Sequence, residues 1–210
     1  MPEMADVEIL RAAGHRRMPW KNGGGETREI AVSPPNASLD TLDWRISMAV
    51  VAQNGPFSSF PGIDRTLSLL SGAGMALDFG EPDKVFRLTQ QSDPFTFAAE
   101  LPVVATLSGT SITDLNVMTR RGRYRHTVRR VRLDKPQRLR SSADQWLLFC
   151  AQGNVSCALA GQAELTLGPD DGLMLKTRGR SVEASVATTD HTIATIYVME
   201  LYSTPNAASV

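Results

Sequence analysis

The sequence predicts an all-β protein built as two stacked jelly-roll β-barrels, and three observations carry that expectation. Apolar residues recur with period two, turn signals return every eight to twelve residues, and stretches with the period of a helix are scarce. A chain of 210 residues has the length for one large β domain or two small ones, enough to bury a substantial core.

The elements follow in order. Asp6 to Ala13 is the one segment with room for a helix, a turn or two at most. "MPWKNGGGETREIAV" (18–32) then runs through three glycines into a strand. In "WRISMAVV" (44–51), alternation sends Trp44, Ile46, Met48 and Val50 to one side and Arg45, Ser47, Ala49 and Val51 to the other. Pro61-Gly62 fits the central pair of a type II turn, where glycine supplies the positive φ. "DRTLSLLSGAGMALDF" reads as a hairpin around Gly72-Ala73-Gly74. Further strands are expected at "KVFRLT", "FTFAA", "SITDLNVMT", "YRHTVRRVRL", "QWLLFCA", "VSCALA", "AELTL", "GLMLKT" and "TIATIYVMEL". In "LLFCAQGNVSCAL", a two-residue turn at Gly153-Asn154 sets Cys150 opposite Cys157. That pair is either two small apolar residues in a sheet or a cross-strand redox couple, and a reducing cytosol favours the first.

Residues 67–88 and 146–175 echo one another: apolar strand, glycine turn, strand, turn, strand. "LGPDDGLML" resembles the turn that carries a jelly-roll strand back across the sheet. The echo and the length point to a bicupin-like doubling of one barrel, with its seam between residues 120 and 135. The expected units are 1–125, a cupin-like barrel carrying the pocket motifs, and 126–210, a second such barrel, the two forming one compact unit.

Composition removes several function classes. Lys plus Arg equals Asp plus Glu at 22 each, so no global field steers the chain to nucleic acid or an anionic membrane. "RRGRYRHTVRRVRLDKPQRLR" (120–140) holds ten Arg or Lys against one Asp, but its arginines fall on both faces of a strand with one aromatic, Tyr124. A solvated strand edge that deters edge pairing accounts for that pattern. The N-terminal residues lack the basic start and apolar core of a secretory signal, and no apolar run reaches spanning length, so a soluble cytoplasmic protein is expected.

The glycine triplet is not a phosphate loop. Lys21 precedes the glycines instead of following them, and a strand instead of a helix comes after. The glycines serve either a tight turn or a close approach of backbone to a ligand, with Trp20, Lys21, Asn22 and Glu26 beside it. No metal and no cofactor is expected, since His15, His126 and His191 form no close pair and two cysteines lack companions at zinc spacing. No nucleophile elbow is present, and His126 beside Tyr124 is the one candidate for acid–base work. What remains is a set of polar residues among apolar ones: Arg45, Ser47, Ser58, Asp64, Arg65, Asn116 and Arg120. Arg45 and Ser47 share a face, as do Asn116, Met118 and Arg120. An arginine facing a barrel lumen needs a partner or an anion, and its planar fork matches a carboxylate at two points. Asp64 and Arg65 bracing each other, or the turn, is the competing reading.

"MPWKNGGGETREI", "DWRISMAVVAQNGPFSSFPGIDRTLSLLSGAGMAL" and "TDLNVMTRRG" resemble the HutD/Ves family, in order from about Leu10 to Tyr202. The resemblance implies an RmlC-like cupin architecture of two barrels without bound metal, in a bacterial cytoplasmic protein tied to histidine utilisation. It implies a non-catalytic binder of formiminoglutamate, urocanate or a similar small acid that moderates the pathway; the Ves branch is named for environmental stress. By the motifs, the implied ligand-binding residues are Trp20, Lys21, Asn22, Gly23, Gly24, Glu26, Arg45, Ser47, Arg65, Asn116, Met118 and Arg120, with Gly25 completing the glycine backbone. The chain departs from the family pattern at "FAAEL" (97–101) and "DLN" (114–116), which flank the implied pocket. The alternative is a metal-independent hydrolase or isomerase with Glu26, Asp64 or His126 carrying the proton. No nucleic-acid or membrane partner is expected, and jelly-roll sheets suit a homodimer.

Overall fold

The computed structural model describes residues 6–204 except Pro82 and His191, the latter one of the three histidines weighed above. The chain is β throughout, and no helix among the described residues is long and apolar enough to cross a membrane. The strands are β1 (Asp6–Leu10), β2 (Arg16–Pro19), β3 (Gly25–Ser33), β4 (Trp44–Val51), β5 (Gly55–Pro56), β6 (Ile63–Ser71), β7 (Met75–Asp78), β8 (Val85–Leu88), β9 (Phe95–Ala98) and β10 (Val104–Leu107). They continue with β11 (Ile112–Arg120), β12 (Tyr124–Leu133), β13 (Gln137–Ser141), β14 (Gln145–Gln152), β15 (Val155–Leu159), β16 (Leu165–Leu167), β17 (Gly172–Lys176), β18 (Val182–Thr188) and β19 (Ala194–Ser203).

The chain forms two units. The N-terminal unit, 15–125 with Thr204, holds a six-stranded sheet ordered β2-β3-β4-β11-β6-β9 and a four-stranded sheet ordered β5-β10-β7-β8. The C-terminal unit, 126–203 with residues 6–14, holds sheets ordered β1-β17-β14-β19-β12 and β13-β18-β15-β16. In each unit, apolar residues from both sheets share one core. Leu67, Leu69, Met75, Leu77, Ala105 and Ile112 belong to the first core, and Trp146, Leu148, Val155, Ala184, Ile196 and Val198 to the second.

Three local expectations need correction. Asp6–Leu10 is a strand, not a helix, leaving a single 3-10 turn at Ala12–Gly14. Val7 and Ile9 alternate with Asp6 and Glu8, and the segment pairs with β17, Val7 opposite Leu175 and Ile9 opposite Leu173. This strand therefore joins the C-terminal unit, although it precedes the seam near residue 125. Asp171 secures the segment's end: it accepts the Arg11 guanidinium at 2.6 Å, the Ala12 N–H at 2.9 Å and the Gly168 N–H at 3.1 Å.

The two expected hairpins are instead corners between sheets. β6 and β7 lie in different sheets, and so do β14 and β15. Gly72 (φ 99) and Gly153 (φ 82) make the corners. A Cβ on Gly72 would meet Ile112 at 2.6 Å, and one on Gly153 would meet Ala194 at 2.9 Å, so both corners need a residue without a side chain. Each of these neighbours is the first residue of the strand beside the corner, β11 or β19. Cys150 and Cys157 are thus not a hairpin pair; both are free thiols in the C-terminal core, pushed up to about 12 by burial. The turn at Pro61-Gly62 holds as read, with Gly62 at φ 75.

Candidate functional site

The lumen of the N-terminal unit is built in rows by strand register, because residues directly opposite in an antiparallel sheet share a face. Ala49, Val51, Leu67, Leu69 and Ile112 lie in its core, so the odd positions of β4 and β6 and the even positions of β11 face inward. One row reads Arg45, Met118, Arg65, Phe97 across β4, β11, β6 and β9. The next reads Glu29, Ser47, Asn116, Leu67, Phe95, starting from β3. A third sets Thr27, Ala49, Asp114 and Leu69 in line.

Arg65 is the centre of this arrangement. It is 9% exposed, and its Nε and Nη2 both donate to Asn116 Oδ1, the first at 2.7 Å. Its guanidinium lies 4.4 Å from the centroid of Phe57 and 5.9 Å from that of Phe97, the aromatic face being a favourable seat for a cation. Nη1 makes no hydrogen bond to a described residue. Burial lowers the affinity of Arg65 for its proton, opposed by the Asp114 charge. Asn116 passes the contact on by donating Nδ2 to Asp114 Oδ1. Asp114 is 1% exposed, and its Oδ2 is buried without a partner among the described residues. Burial raises its carboxyl from 3.8 to about 6, against the pull of Arg65, of the Asn116 hydrogen bond and of the Ala49 backbone N–H. Arg45 closes the other side through Glu29, with Nε 2.7 Å from Oε2 and both side chains nearly buried.

These rows unite Arg45, Ser47, Arg65, Asn116 and Met118 among the implied ligand-binding residues. Trp20 stands at the far end, its indole N–H donating to Thr27 Oγ1 at 2.9 Å. Lys21 is exposed, and so are Asn22 and Gly23. The glycine amides do not reach toward a ligand: Gly23 N–H bonds Trp20 O at 3.0 Å, and Gly24 N–H bonds Asn22 Oδ1 at 3.0 Å. Gly23 (φ 69) makes the turn, and a Cβ on Gly25 would stand 2.1 Å from Val50 O. The triplet is a tight strand connection packed on Trp20. Glu26 lies on the opposite face of β3 from Thr27 and Glu29, bonded to Arg17 and Arg28 at 3.0 Å each. Arg120 ties the preceding loop, donating to Leu42 O and Asp40 O at 2.8 Å.

The proton carriers weighed for an enzyme lie elsewhere. Asp64 pairs with Arg121, and its competing role as a brace for Arg65 is not what forms. His126 lies on β12 of the C-terminal unit, where burial lowers it from 6.5 to about 4. Four lumen residues are not among the implied ligand-binding residues: Asp114 and Phe97, which fall in the two segments that depart from the family pattern, and Glu29 and Phe57. The first had a signal, since "TDLNVMTR" places Asp114, Asn116 and Met118 on one face; Glu29 meets Arg45 only through register. Among the described residues, no group of three or more His, Cys, Asp or Glu is placed to hold a metal.

Fold and site together define a cupin-type β protein whose N-terminal lumen carries a buried arginine–amide–carboxyl chain. The chain belongs to the HutD family, whose model matches residues 12–194. It is 39% identical over 174 residues to an uncharacterised 21.2 kDa protein of the hutC 3′ region of Pseudomonas putida, covering 82% of this chain and 88% of that one. It is 48% identical over 119 residues to the protein Ves of Citrobacter koseri, covering 54% and 60%. The structure of HutD from Pseudomonas fluorescens SBW25 superposes with a TM-score of 0.79 at 30% identity, covering 94% of this chain and 99% of that one. An oxalate decarboxylase of Lactobacillus farciminis, at 7% identity and a TM-score of 0.64, shares the fold alone.

Proposed function

We propose that this chain is a non-catalytic binding protein for a small carboxylic acid, formiminoglutamate or a related intermediate, and that binding moderates histidine utilisation in the cytoplasm. Arg65 carries the reading. A guanidinium this deeply buried, stacked on Phe57 and with its outer edge turned to no described group, offers a two-point seat for a carboxylate. Asn116 fixes the fork from behind, so little order has to be gained on binding. Arg45 and Ser47, in adjoining rows, face a second polar end of the ligand. Family membership supports the link to histidine utilisation, and the P. fluorescens protein bears the HutD name.

The test is a thermal-shift and calorimetry panel of formiminoglutamate, formylglutamate, glutamate and urocanate, with product analysis of every mixture. Saturable stabilisation without turnover, weakened in Arg65→Ala by roughly 2–5 kcal/mol of binding, is the expected result. Asp114 is the observation that favours a second reading, a metal-independent hydrolase or isomerase, because it is a titratable group in the lumen. New product in the mixtures selects that reading. A panel without any binding removes the carboxylate site.

A further inference from the structure

Asp114 has no part yet in the binding scheme, although it is joined to Arg65 through Asn116. Few charged groups face it. β6 brings Arg65 and β4 brings Arg45 in the same row; in the row between these and Asp114, β3 brings Glu29, paired with Arg45 and 3.9 Å from Arg16 of β2. β9 contributes Phe95 and Phe97, and the four-stranded sheet contributes Met75, Leu77, Leu88 and Ala105, none of them titratable. The inner rows thus hold two cations, Arg45 and Arg65, balanced by two anions, Glu29 and Asp114.

A carboxylate docked on Arg65 adds a third anion to an apolar lumen, where an unbalanced charge is costly. We propose that Asp114 takes up a proton when a carboxylate docks on Arg65, so that acid binding is coupled to proton uptake. This rests on reading the lumen as a carboxylate site. The proton comes from solvent and forms one O–H bond on Asp114; nothing else is made or broken. Oδ1 goes on accepting from Asn116, and a protonated Oδ2, unpartnered in the free protein, becomes a donor on the lumen face. Burial already holds this carboxyl at about 6, so one added negative neighbour suffices to carry it through neutrality.

Calorimetry of the full chain with formiminoglutamate, formylglutamate and glutamate, in buffers of different ionisation enthalpy near neutral pH, counts the protons directly. The expected result is uptake approaching one proton per acid bound. The Kd then weakens toward tenfold per pH unit between about pH 6 and pH 8. Asp114→Asn, neutral throughout, should show a Kd that is flat over that range and about tenfold or more tighter than wild type at its upper end. Binding with no proton uptake and a flat Kd in the wild type overturns the coupling and leaves the carboxylate site standing. No binding by any of the three acids overturns the site and the coupling together. Should Asp114→Asn fail to fold, the wild-type proton count decides the matter alone.

Discussion

Arg65, Asn116 and Asp114 of the N-terminal unit stand where Trp146, Val198 and Ile196 stand in the C-terminal unit. The correspondence follows from register. Counting back from the glycine corners, Leu69 matches Cys150, Leu67 matches Leu148 and Arg65 matches Trp146. On the neighbouring strand, Asp114 and Asn116 oppose Leu69 and Leu67 as Ile196 and Val198 oppose Cys150 and Leu148. The sheet orders agree as well: β4-β11-β6-β9 with β12-β19-β14-β17, and β5-β10-β7-β8 with β13-β18-β15-β16. One scaffold thus carries two interiors. The C-terminal unit fills its lumen with an indole and branched aliphatics, which maximises burial. The N-terminal unit keeps charges in the same places, at a cost in stability.

The comparison breaks most sharply at Trp146. Trp146→Ala should destabilise the protein by about 3–5 kcal/mol in denaturant titration, while acid affinity per folded molecule stays unchanged. An equal loss of affinity would show that the binding site is not confined to the N-terminal rows. In the opposite sense, Asp114→Asn should stabilise the protein above pH 6 by up to about 3 kcal/mol. The sign follows from the raised carboxyl: the folded state binds the proton more readily than the unfolded chain, so Asp114 destabilises above about 6 and that penalty fades as pH falls toward 3.8. Melting curves of variant and wild type should therefore converge in acid.

His126 gives the C-terminal unit the reverse dependence. Its folded value of about 4 lies below the ordinary 6.5, so its contribution is intact above 6.5 and is lost as pH falls through that interval. Hydrogen exchange from pH 7 to about pH 4 should show protection falling around β12 relative to β6 and β11. The corners sharpen the equivalence on a smaller scale. Gly72→Ala and Gly153→Ala should each cost about 1–3 kcal/mol in thermal melts, whereas a corner that tolerates alanine is not equivalent to its counterpart. The smallest effect concerns the cysteines. With both thiols pushed up to about 12 and buried, neutral-pH alkylation of the native protein should stay negligible until it unfolds.

Period two told most of this fold from the residues. "WRISMAVV" split into faces as β4 does, and "YRHTVRRVRL" coincides with β12. The corners were misread because a strand–glycine–strand pattern is the same whether the second strand pairs with the first or crosses to another sheet. What decides is a distant contact, Ile112 on Gly72 or Ala194 on Gly153. Short strands went unseen for a related reason: at four and five residues, "VATL" and "QRLRS" are too short to show a period. In the site, Arg65, Asn116 and Arg45 could be chosen by their cost in a lumen. For the glycine motif the sequence left a tight turn and a ligand cradle open; its residues make a tight connection on Trp20, and nothing local separates the two in the sequence.

Strand β1 has its partner far along the chain, in β17. Arg11 meets Asp171 across 160 positions, and Val7 awaits Leu175. During synthesis β1 is therefore held without its partner until β17 has been made, and it closes the C-terminal unit late. Deleting β1 leaves the β17 edge of the finished sheet with unpaired backbone groups open to other chains.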